Sequence, residues 1–146
     1  MSTVVVDASV FINAFNPYEA GHEESRRLLS VLQDRAVPVI VPTLLLPEVS
    51  AAIGRGRDDA QLARDFCAAL RRLPHIVWVS VDDSLAWQAA EIAAQHRLRR
   101  SDAVYAAVAV RFGATLATLD REQKERLSGV TGARYPAEMV AELSSS

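Results

Sequence analysis

The sequence predicts an α/β fold, a three-layer α/β/α sandwich with a mainly parallel central sheet. Short apolar runs of strand length alternate along the chain with longer segments of helical periodicity, and this alternation is typical of parallel strands joined by helical crossovers. No Gly-, Ser- or Pro-rich linker divides the 146 residues. We therefore predict a single domain spanning residues 1–146.

The first half of the chain is predicted to contribute two strands and four helices. In order, they are a buried strand at Val4–Val6, a short helix capped by Asp7 and reaching Ile12, a helix from Pro17 to about Asp34, a strand at Val37–Val41 ended by Pro42, a helix that carries Glu48 and ends at Gly54 and Gly56, and a helix from Asp58 to Arg72. Proline is tolerated in the first turn of a helix and kinks it further in, so Pro47 either begins the regular part of its helix or kinks it.

The second half is predicted to contribute three strands and four helices. They are a strand at Ile76–Val79, a helix capped by Asp82, Asp83 or Ser84 and running to about His96, a helix capped by Ser101 and ending at Phe112 and Gly113, a strand at Thr115–Thr118, a short helix at Arg121–Leu127, a short strand at Ala133–Tyr135, and a final helix opened by Pro136. Aspartate and serine are preferred helix caps because their side chains accept hydrogen bonds from the first backbone N–H groups.

Composition excludes several classes of protein. The chain is 50% hydrophobic and 23% charged, which is enough to fill a core and argues against disorder. The single Cys67 excludes an intramolecular disulfide, fits a reducing compartment and is interpreted as a buried structural thiol. No signal peptide or membrane-length apolar run is evident, so we expect a cytoplasmic protein. The net charge of -2 argues against a bulk-electrostatic DNA binder but permits a local basic rim.

Four carboxylates fall where this fold would bring them together. Asp7 and Asp120 directly follow predicted strands, whereas Glu48 and Asp102 belong to predicted helices. In open α/β sheets the working pocket lies beyond the carboxyl ends of the strands. We therefore predict that the four acids converge there and hold a hard divalent cation.

Three of these acids also have a structural explanation when each is taken alone. Asp7 and Asp120 can serve as helix N-caps, and the helix dipole favours Asp102 in a first turn by about 0.3–1 kcal/mol. Glu48 is different, because it lies among apolar residues and no basic residue stands one turn away. A carboxylate in that setting is costly unless it is paired or bound to metal, which favours the joint site.

The metal expected from these ligands is Mg²⁺ or Mn²⁺, because both prefer oxygen. The three histidines are dispersed without zinc-ligand spacing. Four acids exceed the need of one Mg²⁺, and they suit one tightly held ion plus a second that arrives with a phosphate substrate. Two ions about 3.5–4 Å apart stabilise both the attacking and the leaving oxygen of an in-line displacement. The predicted chemistry is phosphodiester hydrolysis.

Four short motifs carry a family resemblance. They are Val-Val-Asp7-Ala-Ser9, Leu-Pro-Glu48-Val, Ser101-Asp102-Ala-Val-Tyr-Ala-Ala and Ala-Thr118-Leu-Asp120-Arg-Glu. With these motifs in this order, the sequence from Thr3 to about Glu142 resembles the PIN-domain nucleases. Within that family it is most similar to the VapC-type ribonuclease toxins of bacterial and archaeal toxin–antitoxin pairs.

The resemblance implies a PIN-like sandwich, Mg²⁺- or Mn²⁺-dependent cleavage of RNA, and a homodimer. It also implies a VapB-type antitoxin whose C-terminal segment lies across the active site. Carried over by position, the catalytic, metal-binding acids are Asp7, Glu48, Asp102 and Asp120. Asp7 and Asp102 are the first candidates for direct ligands.

Hydroxyl and basic residues near the acids are candidates for supporting roles. Ser9 and Thr118 match positions that often carry hydroxyls in the family and that orient a carboxylate or a bound water; a helix cap and strand propensity explain them equally well. Arg100, in the Arg97–Arg100 cluster, and Arg121 are candidates for guiding an RNA backbone. The remaining basic residues considered are interpreted as solvated helix faces or surface ion pairs: Arg26, Arg27, Arg55, Arg57, Lys124 and Arg126.

Other functions fit the sequence less well or stay open. A phospho-receiver domain would need an acidic pair after the first strand, where Asp7 stands alone, and a lysine after a late strand, where Asp120 stands. A haloacid-dehalogenase-like phosphatase would need an aspartate two residues after Asp7, where the chain has Ser9. A non-catalytic metal-binding or interaction domain and a housekeeping PIN nuclease without an antitoxin stay open. An adjacent short reading frame for a DNA-binding protein would distinguish a toxin from a housekeeping nuclease.

Overall fold

The computed structural model describes residues 3–145, which form five strands and eight helices. The strands are β1 (Val4–Val6), β2 (Val39–Pro42), β3 (Ile76–Val79), β4 (Thr115–Ala117) and β5 (Ala133–Arg134). The helices are α1 (Ala8–Phe15), α2 (His22–Asp34), α3 (Leu45–Arg57), α4 (Ala60–Arg72), α5 (Asp83–His96), α6 (Arg100–Phe112), α7 (Arg121–Arg126) and α8 (Pro136–Ser145). Within this range, no helix has both the length and the apolar character needed to cross a membrane.

The strands form one parallel sheet in the order β3-β2-β1-β4-β5. The central strand β1 pairs with β2 and β4, with Val5 opposite Ile40 on one side and Leu116 on the other. Strands β1 and β2 are buried along their whole length, as expected for parallel strands covered by helices on both faces. The predicted parallel sheet is confirmed.

The helices form two packed groups. Helix α6 packs on α5 and against β1, β2 and β4, whereas α1 packs on α2 and α3, α3 on α4, and α2 on α8. Ala106 and Ala107 of α6 are fully buried, and their small side chains let this helix approach the sheet closely. The arrangement confirms the predicted α/β/α sandwich.

The order of the strands creates a switch point beside β1. The chain passes from β1 to β2 and β3 on one side and then returns to β4 on the other side of β1. The backbone N–H of Asp7 donates to the carbonyl of Ala117, 2.9 Å away, at the carboxyl end of this strand pair. Ligands of open α/β sheets bind in the crevice at such a point.

The entry to α2 differs from the prediction. The helix begins at His22, five residues after Pro17, and α1 extends to Phe15. A side chain of α1 fixes the turns between the two helices. The buried Asn13 donates hydrogen bonds to Glu19 Oε1 at 2.8 Å and to the carbonyl of Ala20 at 2.9 Å. Gly21 has a φ of +84°, which favours glycine at this helix start. These contacts join residues six and seven positions apart, so the position of Pro17 alone predicted the wrong start of the helix.

Among the other helix boundaries that differ from the prediction, including the start of α4 at Ala60 and the end of α7 at Arg126, two concern the helices that carry Glu48 and Asp102. Helix α3 continues through Gly54 and Gly56 and ends at Arg57. The next residue, Asp58, is its C-cap and has a φ of +49°. Helix α6 begins at Arg100, with Arg99 in the N-cap position, so Ser101 is not the cap. The second difference matters for the site, because it places Asp102 third in the helix, still within its first turn.

Candidate functional site

The four predicted acids line one open cavity of about 530 Å³ at the carboxyl edge of the sheet. Asp7 comes from the end of β1, Glu48 from α3, Asp102 from the first turn of α6, and Asp120 from the turn between β4 and α7. The fold therefore places all four in the same pocket, beside the switch point of the sheet.

Asp7 is held by two hydroxyl groups. Its Oδ2 accepts a hydrogen bond from Ser9 Oγ at 2.9 Å and another from Thr118 Oγ1 at 3.0 Å. Ser9 Oγ in turn accepts a hydrogen bond from the backbone N–H of Leu119 at 3.2 Å, which ties the start of α1 to the turn after β4. Asp7 occupies the N-cap position of α1, but its side chain forms no capping hydrogen bond. Both predicted hydroxyl residues thus orient this carboxylate.

Thr118 joins Asp7 to a buried glutamine that sequence reasoning missed. Thr118 Oγ1 lies 3.0 Å from Asp7 Oδ2 and 2.8 Å from Gln123 Oε1. A hydroxyl has one proton, so it can donate to only one of these acceptors at a time. Gln123 Nε2 lies 3.3 Å from the carbonyl of Asp102. This chain of contacts links β1, β4, α6 and α7 behind the pocket.

Glu48 is fixed by Tyr105. The hydroxyl of the fully buried Tyr105 donates to Glu48 Oε1 at 2.8 Å. Burial, followed by the nearby Glu48 charge, raises the pKa of Tyr105, so the phenol stays protonated and able to donate. Pro47 is the third residue of α3, where no intrahelical N–H bond is required. Besides packing in the core, Tyr105 therefore orients the Glu48 carboxylate.

Asp120 has the structural role foreseen for it as well as a place in the pocket. Its Oδ1 accepts a hydrogen bond from the backbone N–H of Gln123 at 3.1 Å and caps α7. The backbone N–H of Asp120 donates to Thr118 Oγ1 at 3.0 Å. Because a carboxylate has two oxygens, capping by Oδ1 leaves Oδ2 available for another partner.

Burial and mutual repulsion disfavour the ionised forms of the acids in this pocket. Burial, and then the charges of Asp7, Asp120 and Glu48, raise the pKa of Asp102 from 3.8 to about 6. Burial raises the pKa of Asp7 as well, against the opposing effect of its two hydroxyl donors. Among residues 3–145, no three His, Cys, Asp or Glu side chains are already gathered as a ready metal-binding group. The acids share a pocket, but their side chains are not arranged as a closed ligand shell.

The basic residues divide into those that border the acids and those that do not. Arg99 and Arg100 line a second opening that also contains Asp102 and Asp120. Arg121, a predicted supporting residue, instead pairs with Glu125 at 3.1 Å and is absent from both cavity linings.

Arg55 lines the main acidic cavity, although the sequence was interpreted as placing it on a solvated surface. Its spacing of seven residues from Glu48 on one helix was the signal that could have identified it.

For the metal-dependent cleavage that the sequence predicts, we expect Thr118→Val to lower the activity about 10- to 100-fold, the range found when an outer-shell partner is lost. The change keeps the shape of the side chain and removes the donor to Asp7. Thr118→Ser should restore most of the activity because it keeps the hydroxyl. The measurement is the metal concentration that gives half-maximal cleavage. Thr115→Val, at the start of the strand that precedes Thr118, is the control, and equal behaviour of the two valine variants would contradict the role of Thr118.

Comparison with known proteins places the chain in a family. Residues 4–126 match the PIN domain model, whereas a comparison with curated proteins finds no match. Solved structures with a similar fold include the following three. VapC20 of Mycobacterium tuberculosis, described as a sarcin–ricin loop cleaving toxin, is 23% identical, with a TM-score of 0.69 over 84% of this chain and 94% of its own.

The other two structures are 16–17% identical to the chain. A toxin–antitoxin complex from Klebsiella pneumoniae is 16% identical, with a TM-score of 0.67 over 92% of this chain and 98% of its own. FitAcB from Neisseria gonorrhoeae is 17% identical, with a TM-score of 0.70 over 92% and 98%. Because the family model covers most of the sequence and the acids lie together at the switch point, the chain belongs to the PIN-domain family.

Proposed function

We propose that the protein is a Mg²⁺- or Mn²⁺-dependent endoribonuclease and the toxin of a VapBC-type toxin–antitoxin system. The observation that carries the proposal is the shared pocket of Asp7, Glu48, Asp102 and Asp120 at the switch point of the sheet. VapC20, a structural neighbour, is described as cleaving the sarcin–ricin loop, which supports RNA as the class of substrate. A stand-alone PIN nuclease without an antitoxin is the second candidate.

The donor chemistry of the pocket fits a hard divalent cation. Its four acids provide oxygen ligands, and no histidine or cysteine lines it among the described residues. Oxygen donors of this kind suit Mg²⁺ or Mn²⁺ rather than zinc. Burial, and to a smaller extent the neighbouring carboxylates, raise the pKa values of Asp7 and Asp102, and a bound cation would favour their ionised forms.

In this proposal, Asp7 and Asp102 are the direct ligands, and Glu48 and Asp120 complete the site directly or through water. A divalent ion bound there supplies Lewis-acid chemistry, activating water and neutralising charge on the phosphate. The chain's own contribution is orientation. Ser9 and Thr118 hold Asp7 in one rotamer, and Tyr105 does the same for Glu48. Such fixed carboxylates lose little freedom on binding an ion.

An antitoxin is the proposed protein partner. The structural neighbour from Klebsiella pneumoniae is a toxin–antitoxin complex. An apolar cavity of about 380 Å³ between α1, α2 and α4 offers a docking place for apolar side chains, with Phe15, Leu29, Phe66 and Leu73 on its walls. An antitoxin gene adjacent to the gene of this chain is the expected finding, and its absence would favour the stand-alone nuclease.

We also propose that the protein acts in the cytoplasm as a homodimer. Trp87 and Phe112 are exposed apolar residues, with 74% and 45% of their surfaces accessible. The ends of α5 and α6 that carry them are joined by hydrogen bonds from Arg111 to Gln88 and Ser84. Exposed apolar patches of this kind mark candidate protein contacts. Light scattering on the free protein measures its mass, and a monomer at high concentration would contradict the dimer.

The decisive experiment is cleavage of total RNA by the purified protein with Mg²⁺, with Mn²⁺ and with EDTA. We expect discrete fragments that require a divalent ion and disappear with folded Asp102→Asn protein. Fragments that persist in EDTA, or that Asp102→Asn still produces at the wild-type rate, would contradict the proposed site. A folded, metal-binding protein that cleaves no RNA would instead favour a binding role.

A further inference from the structure

The acidic pocket is lined by one positively charged side chain, that of Arg55, which has no partner among the described residues. Arg55 lies on α3, is exposed, and lines the same cavity as the four acids. Within the range 3–145, its side chain forms no hydrogen bond, ion pair or ring contact. It is therefore available to a ligand that enters the pocket.

Arg57 and Arg99 are engaged elsewhere, whereas Arg100 is uncommitted among the described residues but borders the second opening and not the main cavity. Arg57 of the same helix lies over an aromatic ring, with its guanidinium carbon 5.6 Å from the ring centre. Arg99 pairs with Glu122 at 3.5 Å, and Arg126 pairs with the same glutamate. These partners compete with any phosphate for the arginines, whereas Arg55 has no such competitor among the described residues.

Helical geometry places Arg55 in line with Glu48. The two residues are seven positions apart, close to two turns, so they share one face and are separated by about 10.5 Å along the axis. Ala51 and Ala52 lie between them on the cavity wall, and their small side chains leave the floor open. The cavity thus extends from the acids along α3 to an uncommitted guanidinium.

The lining indicates which part of a nucleic acid would contact this end of the cavity. Among the described residues that line it, none is aromatic, so it offers no platform on which a base could stack. A guanidinium, by contrast, matches the geometry of a phosphate and can bind it through two parallel hydrogen bonds. The chemistry of this end favours the backbone over the bases.

We propose that Arg55 binds the backbone phosphate next to the scissile one and so aligns the RNA strand across the acids. This inference rests on the proposed ribonuclease function. Arg55 is a positioning residue: it holds the neighbouring phosphate and does not touch the bond that breaks. Because a phosphate contact carries no base information, this contact supplies affinity and register while leaving the choice of sequence to other residues.

The test measures RNA binding separately from cleavage. A short single-stranded RNA is bound to Asp102→Asn protein with and without Arg55→Ala, at fixed Mg²⁺ and between about 50 and 200 mM salt. Loss of one phosphate contact should reduce the steepness of the plot of log association constant against log salt concentration by about 0.7. It should also weaken RNA binding about fivefold at low salt. Arg55→Lys should keep the slope. In the active protein, Arg55→Ala should raise KM and leave kcat within about twofold.

Arg72→Ala is the matched control, because Arg72 is an exposed arginine on α4 that lies outside this cavity. Unchanged melting temperatures would exclude a folding effect for both variants. Equal affinities and salt slopes for Arg55→Ala and Arg72→Ala, with a wild-type protein that cleaves RNA, would overturn the role of Arg55 alone. A wild-type protein that neither binds nor cleaves RNA would overturn the ribonuclease function, and the phosphate contact with it.

Discussion

Asp7→Asn is expected to fold like the wild-type chain and to lose cleavage by about 10³-fold or more, the loss of several kcal/mol of metal-ion catalysis. The asparagine oxygen can accept the hydroxyl hydrogen bonds that Oδ2 receives from Ser9 and Thr118. The rest of the side chain then presents an uncharged NH₂ group, which cannot bind a cation. The measurement is the single-turnover rate at saturating Mg²⁺, together with a thermal melt that establishes folding.

Asp82→Asn is the control for this prediction. Asp82 caps α5 by accepting from the backbone N–H of Leu85 at 2.9 Å, and asparagine caps helices about as well as aspartate. The control changes the same chemical group away from the acidic cavity, so we expect wild-type cleavage from it. Wild-type cleavage from folded Asp7→Asn would disprove the assignment of Asp7.

Metal removal and pH are expected to change the stability of the protein through the same site. At a concentration 100-fold above its Kd, a divalent ion should add about 2.7 kcal/mol to the free energy of unfolding. For a chain of this size that corresponds to a rise of about 5–10 °C in melting temperature. Asp102→Asn should melt higher than the wild type in EDTA, because the substitution removes a charge that is repelled in the folded state, and it should gain little from the ion.

The advantage of Asp102→Asn should depend on pH in a defined direction. The folded state raises the pKa of Asp102 from 3.8 to about 6, so between these values the folded protein binds more protons than the unfolded chain. The free energy of unfolding of the wild type therefore falls as pH rises through this window. Asparagine does not titrate. The difference in melting temperature between variant and wild type should be near zero at pH 4 and largest above pH 7.

Asp83→Asn distinguishes site repulsion from a general helix effect. Asp83 occupies the first turn of α5, as Asp102 occupies the first turn of α6. A carboxylate in a first turn is normally favoured by the helix dipole, so Asp83→Asn should lower the melting temperature slightly. A destabilised Asp102→Asn in EDTA at neutral pH would contradict the repulsion inferred for the pocket.

The sequence predicted the sheet and the position of the acids at its carboxyl edge because both depend on local patterns, whereas the role of the acids stays a prediction. The run Val4–Val6 is apolar and β-branched, as strands buried on both faces are, and an acid directly after such a strand must lie at its carboxyl end. Asp120 was predicted as a helix cap, and it does cap α7. These inferences need only the periodicity of hydrophobic residues along the sequence and the chemistry of one or two neighbouring residues.

The remaining features depend on contacts between distant parts of the chain. Tyr105 and Glu48 are 57 positions apart, yet they share a hydrogen bond. The start of α2 is set by the side chain of Asn13 in the preceding helix. Gln123 was missed because a glutamine in a short charged helix is expected to be solvent-exposed. Packing instead leaves only 1% of its surface accessible. Periodicity alone cannot foresee such contacts.

The carboxylates that crowd beside β1 lower the stability of the folded chain, although the proposed chemistry requires them. Burial and like charge disfavour the ionised forms of Asp7 and Asp102, and amides at these positions would remove that cost. Random substitution under selection for folding alone would therefore tend to erase the acids and leave a more stable, inert chain. Their joint presence in one sequence is explained by a demand for activity, and a descendant freed from that demand would be expected to lose them while keeping its shape.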